Sequence, residues 1–315
     1  MVLDGVKLHY LDEGEGPVIW LMHGNTSWSY LYRKMIPPLV AAGYRCFVPD
    51  LMGFGLSDIP HEESAYSLQR HVALMTALVE HLDLRDMVVV GQDWGGPVVL
   101  RYAIAHRHNV RALVLLNTFI ERFAASRAEQ RRLDIITGPL PPGFDFLFKG
   151  GARSHWLIKR LDLFRRFVWM GWRNGNHSRL GAGFRRAVDP RAMDEYRAIH
   201  AHPENRAGLA VFPGLIPNRA DHPNAEYINE IRRVLGEWEV PVQVIWADGD
   251  LAWSLDQGER IARWVPDGEF YRVRNAGHFV QEDAGEEVAQ QMIGFLQRRL
   301  ARAALNSGAE DDGCR

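Results

Sequence analysis

Val88-Val89-Val90-Gly91-Gln92-Asp93-Trp94-Gly95-Gly96-Pro97 is the stretch that decides the fold. The β-branched run up to Gly91 predicts a strand buried on both faces, and the apolar stretch from Gly96 to His106 predicts a helix. Between them, Gly91-Gln92-Asp93-Trp94-Gly95 has the Gly-x-nucleophile-x-Gly spacing of a sharp strand-to-helix turn. Glycines stand where such a turn is tight. An aspartate before a helix is more often an N-cap. The strand ahead of it and the partners downstream favour a nucleophile at Asp93.

An aspartate nucleophile restricts the chemistry. Attack by a serine on saturated carbon would leave an ether, which water does not clear. A carboxylate leaves an alkyl ester that water can cleave at the aspartyl carbonyl. Asp93 therefore points to a leaving group on sp³ carbon, as in alkyl halides or epoxides. His278, in Asn275-Ala276-Gly277-His278-Phe279 after a strand-like run, is the candidate base among 13 histidines. The acid that orients it is expected in Ala247-Asp248-Gly249-Asp250, where Asp250 is favoured and Asp248 competes. The chain order nucleophile, acid, histidine suits this kind of site.

Outward from the turn, the chain alternates short apolar runs with helical patterns. Val18–Met22, Arg45–Pro49, Met87–Gly91, Val110–Asn117, Val242–Trp246 and Glu269–Val273 are expected strands, and Val6–Asp12 an outer strand. Trp28–Ala42, Ser67–Leu82, Gly96–His106, Gln257–Trp264 and Gly285–Arg299 are expected helices. Repeated β-α units imply a mostly parallel, doubly wound sheet. From about Phe119 to Pro217 the strand pattern stops, and helical patterns such as Leu157–Trp172 and Pro190–His200 replace it. The expected domains are a core over 1–118, an all-helical cap over 119–217, a second core part over 218–305 and a disordered tail over 306–315.

Composition narrows the function classes. The 315 residues carry a formal net charge of −2, which gives no electrostatic reason to bind nucleic acid or an anionic membrane. No apolar run approaches the ~20 residues of a membrane span, and no secretory leader is visible. The two cysteines, Cys46 in an apolar run and Cys314 near the end, suggest no disulfide framework. A cytoplasmic location is expected. The sequence does not choose between a monomer and a homo-oligomer.

A loop upstream completes the site. The strand-like Val18–Met22 ends in His23-Gly24-Asn25, placed to supply an oxyanion amide. The Asn25 carboxamide and the Trp94 indole are donors that could hold a departing halide where water is excluded.

Through these and neighbouring residues, the chain resembles the haloalkane dehalogenases over nearly its whole length. The resemblance lies in His23-Gly24-Asn25, Trp28-Ser29-Tyr30-Leu31-Tyr32-Arg33, Asp50-Leu51-Met52-Gly53-Phe54-Gly55-Leu56-Ser57-Asp58, Gly91-Gln92-Asp93-Trp94-Gly95-Gly96 and Gly277-His278-Phe279-Val280-Gln281-Glu282-Asp283. Tyr196-Arg197, Pro203 and Phe212-Pro213 add to it. It implies an α/β-hydrolase fold with an inserted helical cap, a halogenated small-molecule substrate, halide as product, and neither metal nor cofactor. One subgroup of the family places its acid where this chain has Asn117, which cannot serve, so the resemblance also selects the late acid Asp250. It pairs Trp94 with Asn25 in the halide site and keeps open a cap tryptophan, Trp156, Trp169 or Trp172, as a supplement.

Two departures bear on the site. Thr26 stands where the family usually has proline, which predicts a looser loop and a less well aimed Asn25. The chain begins close to Asp4-Gly5, which predicts a short or absent edge strand. Competing readings are an epoxide hydrolase with the same nucleophile, for which Tyr196 is the candidate donor, a luciferase-like oxygenase, and a non-catalytic pocket protein.

Overall fold

Apolar runs without alternation bury both faces of a sheet, and that sheet organises the molecule. The computed structural model describes residues 1–121, 183–217 and 221–311. Its strands are β1 (Val2–Leu3), β2 (Val6–Lys7), β3 (Tyr10–Glu13), β4 (Val18–Met22), β5 (Arg45–Pro49), β6 (Met87–Asp93), β7 (Val110–Thr118), β8 (Val242–Ala247) and β9 (Glu269–Val273). Seven of them pair in the order β3-β5-β4-β6-β7-β8-β9, parallel throughout except for β3 against β5. All residues of β4 and β6 are buried, as central strands require.

The helices are α1 (Ile36–Ala41), α2 (Leu68–His81), α3 (Gly95–Ala105), α4 (Pro190–Ala198), α5 (Ala207–Leu215), α6 (Ala225–Leu235), α7 (Leu255–Trp264) and α8 (Val280–Asp311), with a kink in α8 at Ala284. Side chains alternate across the sheet. Trp20, Val89, Leu113 and Val244 pack with Leu74 of α2, Val98 of α3, Ile228 of α6 and Ile261 of α7. Ile19, Leu21, Val88, Val90 and Val114 face Leu39 of α1 and Val288 and Met292 of α8.

Two local readings are corrected. The helix expected over Trp28–Ala42 is a 3-10 turn at Ser29–Tyr32 followed by α1. Pro37 and Pro38 have no N–H to donate and so fit only in the first helical turn, which sets the start of α1. The outer strand expected over Val6–Asp12 divides into β2 and β3. His9 leaves the ladder between them, its N–H on Ser57 Oγ at 3.0 Å and its Nδ1 on Asp50 Oδ2 at 2.7 Å. β1 pairs only with β2, around the left-handed Asp4 and Gly5 (φ 47° and 72°), so β3 is the edge of the main sheet. α8 runs on through Asp311, into the segment expected as a tail from residue 306.

Among the described residues of 183–217 there are helices and turns and no strand. Two buried carboxylates of α8 tie this segment to the core. Glu282 accepts from the Tyr196 hydroxyl at 2.8 Å and from Arg33 Nη2 at 2.7 Å. Asp283 accepts the backbone N–H groups of Arg185, Arg186 and Gly277, at 2.9, 2.9 and 2.7 Å. The helix expected over Leu157–Trp172 lies outside the described residues.

The turn after β6 is held by close approach. Asp93 is left-handed at φ 50°. A Cβ on Gly95 would strike the Met22 carbonyl, and one on Gly96 would strike the Thr118 side chain. Gly96→Ala is therefore expected to destabilise the protein by about 1–3 kcal/mol through overpacking. Gly214→Ala, in α5 with nothing within 4 Å of the new methyl, is expected to be neutral or stabilising by up to roughly 1 kcal/mol. Urea unfolding of the two variants beside the parent tests the contrast.

Candidate active site

Asp93 sits at the apex of the β6–α3 turn, where its φ of 50° aims the carboxylate away from the sheet. Thr118 Oγ1 donates to its backbone carbonyl at 2.5 Å. Its Oδ1 accepts the Asn25 backbone N–H at 2.8 Å. The loop that supplies this amide is anchored by His23, whose Nε2 accepts the Leu51 N–H at 2.9 Å and whose Nδ1 donates to Gly24 O at 2.9 Å. Burial lowers the pKa of His23 against the pull of Asp50 and Asp93. A neutral ring with its proton on Nδ1 satisfies both bonds.

The other oxygen of Asp93 faces His278. His278 Nε2 lies 3.6 Å from Asp93 Oδ2, and Nδ1 lies 2.9 Å from Asp250 Oδ2. Gln92 Nε2 stands 3.3 Å from the His278 carbonyl, so that atom is the amide nitrogen; it is also 3.1 Å from His278 Nε2. Nε2 must therefore accept, and the imidazole proton is on Nδ1, facing Asp250. Asp250 Oδ2 also accepts Asn117 Nδ2 at 2.7 Å, and its Oδ1 accepts the Ala252 N–H at 2.7 Å. Asn117 Oδ1 is fixed in turn by the Ala247 N–H at 3.0 Å.

Asp248, the competing acid, is elsewhere. It pairs with Arg272 at 2.9 Å and accepts the Asn275 N–H at 2.9 Å, which makes it a turn residue at the sheet edge. Tyr196, the candidate epoxide donor, is committed to Glu282 and Arg33. Trp156, Trp169 and Trp172 lie outside the described residues.

The two expected halide donors are buried beside Asp93. Trp94 follows it in the chain, its ring met edge-on by Phe119 and Phe212 with centroids 5.1 and 5.2 Å away. Its indole N–H has no hydrogen-bond partner among the described residues, and the same holds for Asn25 Nδ2. The loop at Thr26 differs from the expectation of looseness. Thr26 is left-handed at φ 68°, which proline cannot adopt, and its N–H, which proline lacks, donates to Asn25 Oδ1 at 2.8 Å. That bond pins the carboxamide by its oxygen.

The sequence reading missed three contributors. Gln92 fixes the His278 tautomer, Thr118 braces the Asp93 backbone, and the Trp253 indole N–H donates to Asp93 Oδ2 at 3.3 Å. Trp253 lies three residues after Asp250 in the loop at the end of β8. That position at a strand's carboxyl end was the one available signal. No group of three or more His, Cys, Asp or Glu that could hold a metal occurs among the described residues.

Comparison with known proteins places the chain in a family. The alpha/beta hydrolase fold family matches residues 17–285. A haloalkane dehalogenase of Mycolicibacterium paratuberculosis is 34% identical over 94% of this chain and 89% of its own length. Haloalkane dehalogenase 1 of Mycobacterium tuberculosis H37Rv is 35% identical over 89% of this chain and 84% of its own. The chain belongs to the haloalkane dehalogenases. The solved tetrameric haloalkane dehalogenase of Paraglaciecola agarilytica NO2 is 27% identical and superposes with a TM-score of 0.70 over 90% of this chain and 86% of its own.

Two predictions follow from this geometry. Burial disfavours the protonated His278 ring, but Asp250, by charge and hydrogen bond, and Asp93 outweigh it and raise its pKa above 6.5. A raised folded-state pKa stabilises the protein below the unfolded value, and that contribution is lost as pH rises through the folded one. The His278 ring is expected to titrate above 6.5 by NMR, and Asp250→Asn to lower that midpoint; an unmoved midpoint would refute the pairing. Thr26→Pro, although it restores the family's usual residue, is expected to cost at least about 1 kcal/mol, because φ and the Asn25 bond are both lost. A thermal melt checks this, with Thr26→Gly expected to retain stability.

Proposed function

We propose that the chain hydrolyses carbon–halogen bonds of haloalkanes through an alkyl ester on Asp93, with His278 as the base and Asp250 as the late triad acid. The observation that carries this reading is the division of the Asp93 carboxylate. Oδ1 rests on a backbone amide, and Oδ2 faces His278 Nε2 at 3.6 Å. Oδ2 attacks the carbon, and the halide leaves with the bonding pair. Water, deprotonated by His278 Nε2, then adds to Cγ while charge gathers on Oδ1 at the Asn25 amide. Asn25 Nδ2 and Trp94 Nε1 are the proposed halide donors. Substrate and water balance the reaction, so no cofactor is required.

The commitment of Tyr196 to the Glu282 cluster leaves the epoxide reading without its donor, which favours halides. Residues 119–217 are read as the helical cap over this site, between core parts 1–118 and 218–305. No helix among the described residues is long and apolar enough to cross a membrane. We read the protein as cytoplasmic, acting on a small molecule and not on nucleic acid or a membrane.

Halide release from brominated and chlorinated alkanes, run beside one epoxide, tests the reaction. Mass spectrometry after rapid quench should find the alkyl group on Asp93. His278→Phe should release at most about one halide per site, because the ester forms and persists. Asp250→Asn should cut turnover on the order of 10³–10⁴-fold through the wrong tautomer and the uncompensated imidazolium. Asp248→Asn should lose only a local bond, about 1 kcal/mol of stability. Collapse of Asp248→Asn with survival of Asp250→Asn would reverse the assignment.

A further inference from the structure

A hydrogen bond to the oxygen that attacks is a liability for the attack, and this site has one. Trp253 Nε1 donates to Asp93 Oδ2 at 3.3 Å, a long bond in a buried setting. By occupying a lone pair it lowers the nucleophilicity of the carboxylate. Its benefit must lie at a later step, since only an interaction that strengthens in a transition state accelerates it.

Trp253 is held through both its ring and its backbone. Its ring stacks on Phe119 with centroids 4.9 Å apart, and its carbonyl accepts Trp246 Nε1 at 3.1 Å. One residue earlier, the Ala252 N–H donates to Asp250 Oδ1 at 2.7 Å, so a single short loop carries both the triad acid and this donor. Packing alone does not require such an aim. Trp20 and Trp238 are buried in the same chain with indole N–H groups that have no partner, and the half-buried Trp28 has an unpartnered indole N–H as well.

We propose that Trp253 is a catalytic residue of ester hydrolysis, donating its N–H to Oδ2 as that oxygen leaves with the alcohol. The inference rests on the proposed ester route. After water adds to Cγ and its proton passes to His278, the intermediate carries Oδ1 as an oxyanion, a new hydroxyl, and Oδ2 bonded to the alkyl carbon. Collapse restores the Cγ–Oδ1 double bond and breaks Cγ–Oδ2, with the pair going to Oδ2. The proton held by His278 then moves to Oδ2 and completes the alcohol. The carboxylic acid left on Asp93 gives its proton to solvent through His278. Negative charge grows on Oδ2 only in this collapse. The bond from Trp253, weak at rest, strengthens there.

The test is rapid-quench halide release with a 1-bromoalkane, using the full chain. Trp253→Phe keeps the ring on Phe119 and removes the donor. Its first, stoichiometric halide release should be as fast as the parent's or faster. Its later steady phase should fall by about a hundred- to a thousandfold, the scale of one lost charge-stabilising donor, with alkylated Asp93 accumulating. Trp253→His carries a ring nitrogen the same number of bonds from Cβ and should recover much of the steady phase. It also serves as the test if the phenylalanine variant does not fold. The defect of Trp253→Phe should shrink with substrates whose alcohol product bears electron-withdrawing substituents, because a better leaving oxygen needs less help. An unchanged steady phase, slowing of the first phase by as much as the second, or a defect indifferent to the alcohol would overturn the role. Absence of halide release from the parent itself would instead remove the ester route.

Discussion

The left-handed backbone at Asp93 is the constraint on which the rest of the molecule depends. A non-glycine residue at φ 50° is disfavoured, and aspartate tolerates it better than a branched residue would. The strain persists because neighbours leave no alternative. Gly95 fits against the Met22 carbonyl, Gly96 against Thr118, and Gly24 against the Asp93 side chain itself. These contacts come from β4, β7 and the loop after β4. The order of the sheet, with β6 between β4 and β7, is therefore what makes the strained residue possible. A serine or an aspartate could stand at such an apex. The reaction follows from which one does.

Around that residue each reactive group is fixed by a bond made away from the chemistry. Asn117 and the Ala252 amide hold Asp250, Asp250 holds His278, and Gln92 sets which imidazole nitrogen is unprotonated. Asn117 illustrates the economy of this arrangement. The family resemblance would put one subgroup's acid at this position, and here Asn117 donates instead to the Asp250 carboxylate from the neighbouring strand. The carboxylate thus has two donors on one oxygen and a third on the other, enough to keep a buried charge.

Much of this was legible in the sequence because the signals were local. Runs such as Val18–Met22 and Arg45–Pro49 gave strand boundaries directly, and the glycine spacing around Asp93 gave the turn. Where tertiary bonds override local pattern, the reading failed. His9 interrupts an apparent strand because Asp50 and Ser57, far along the chain, compete for it. Thr26 could be seen as a departure from proline, but not as a left-handed residue donating to Asn25, since φ is not written in composition. Trp253 was invisible for a similar reason. One tryptophan among 10 is distinguished only by what its N–H meets in space.

The charges of the site also explain how one histidine can serve two steps. At rest, Asp93 and Asp250 both lie against a single imidazole, and together they hold its pKa up. On the proposed route, ester formation neutralises Asp93 and removes one of those influences, so the affinity of His278 for a proton falls just as the base must be free. Asp250 remains, and its charge then stabilises the imidazolium when water is deprotonated. Once the ester is cleaved, Asp93 recovers its charge, and the pull that favours the protonated ring returns. On that proposed route, a nucleophile that gains and loses charge within 3.6 Å of its base tunes that base through the cycle. A neutral serine at the same apex could not do so through its own ground-state charge.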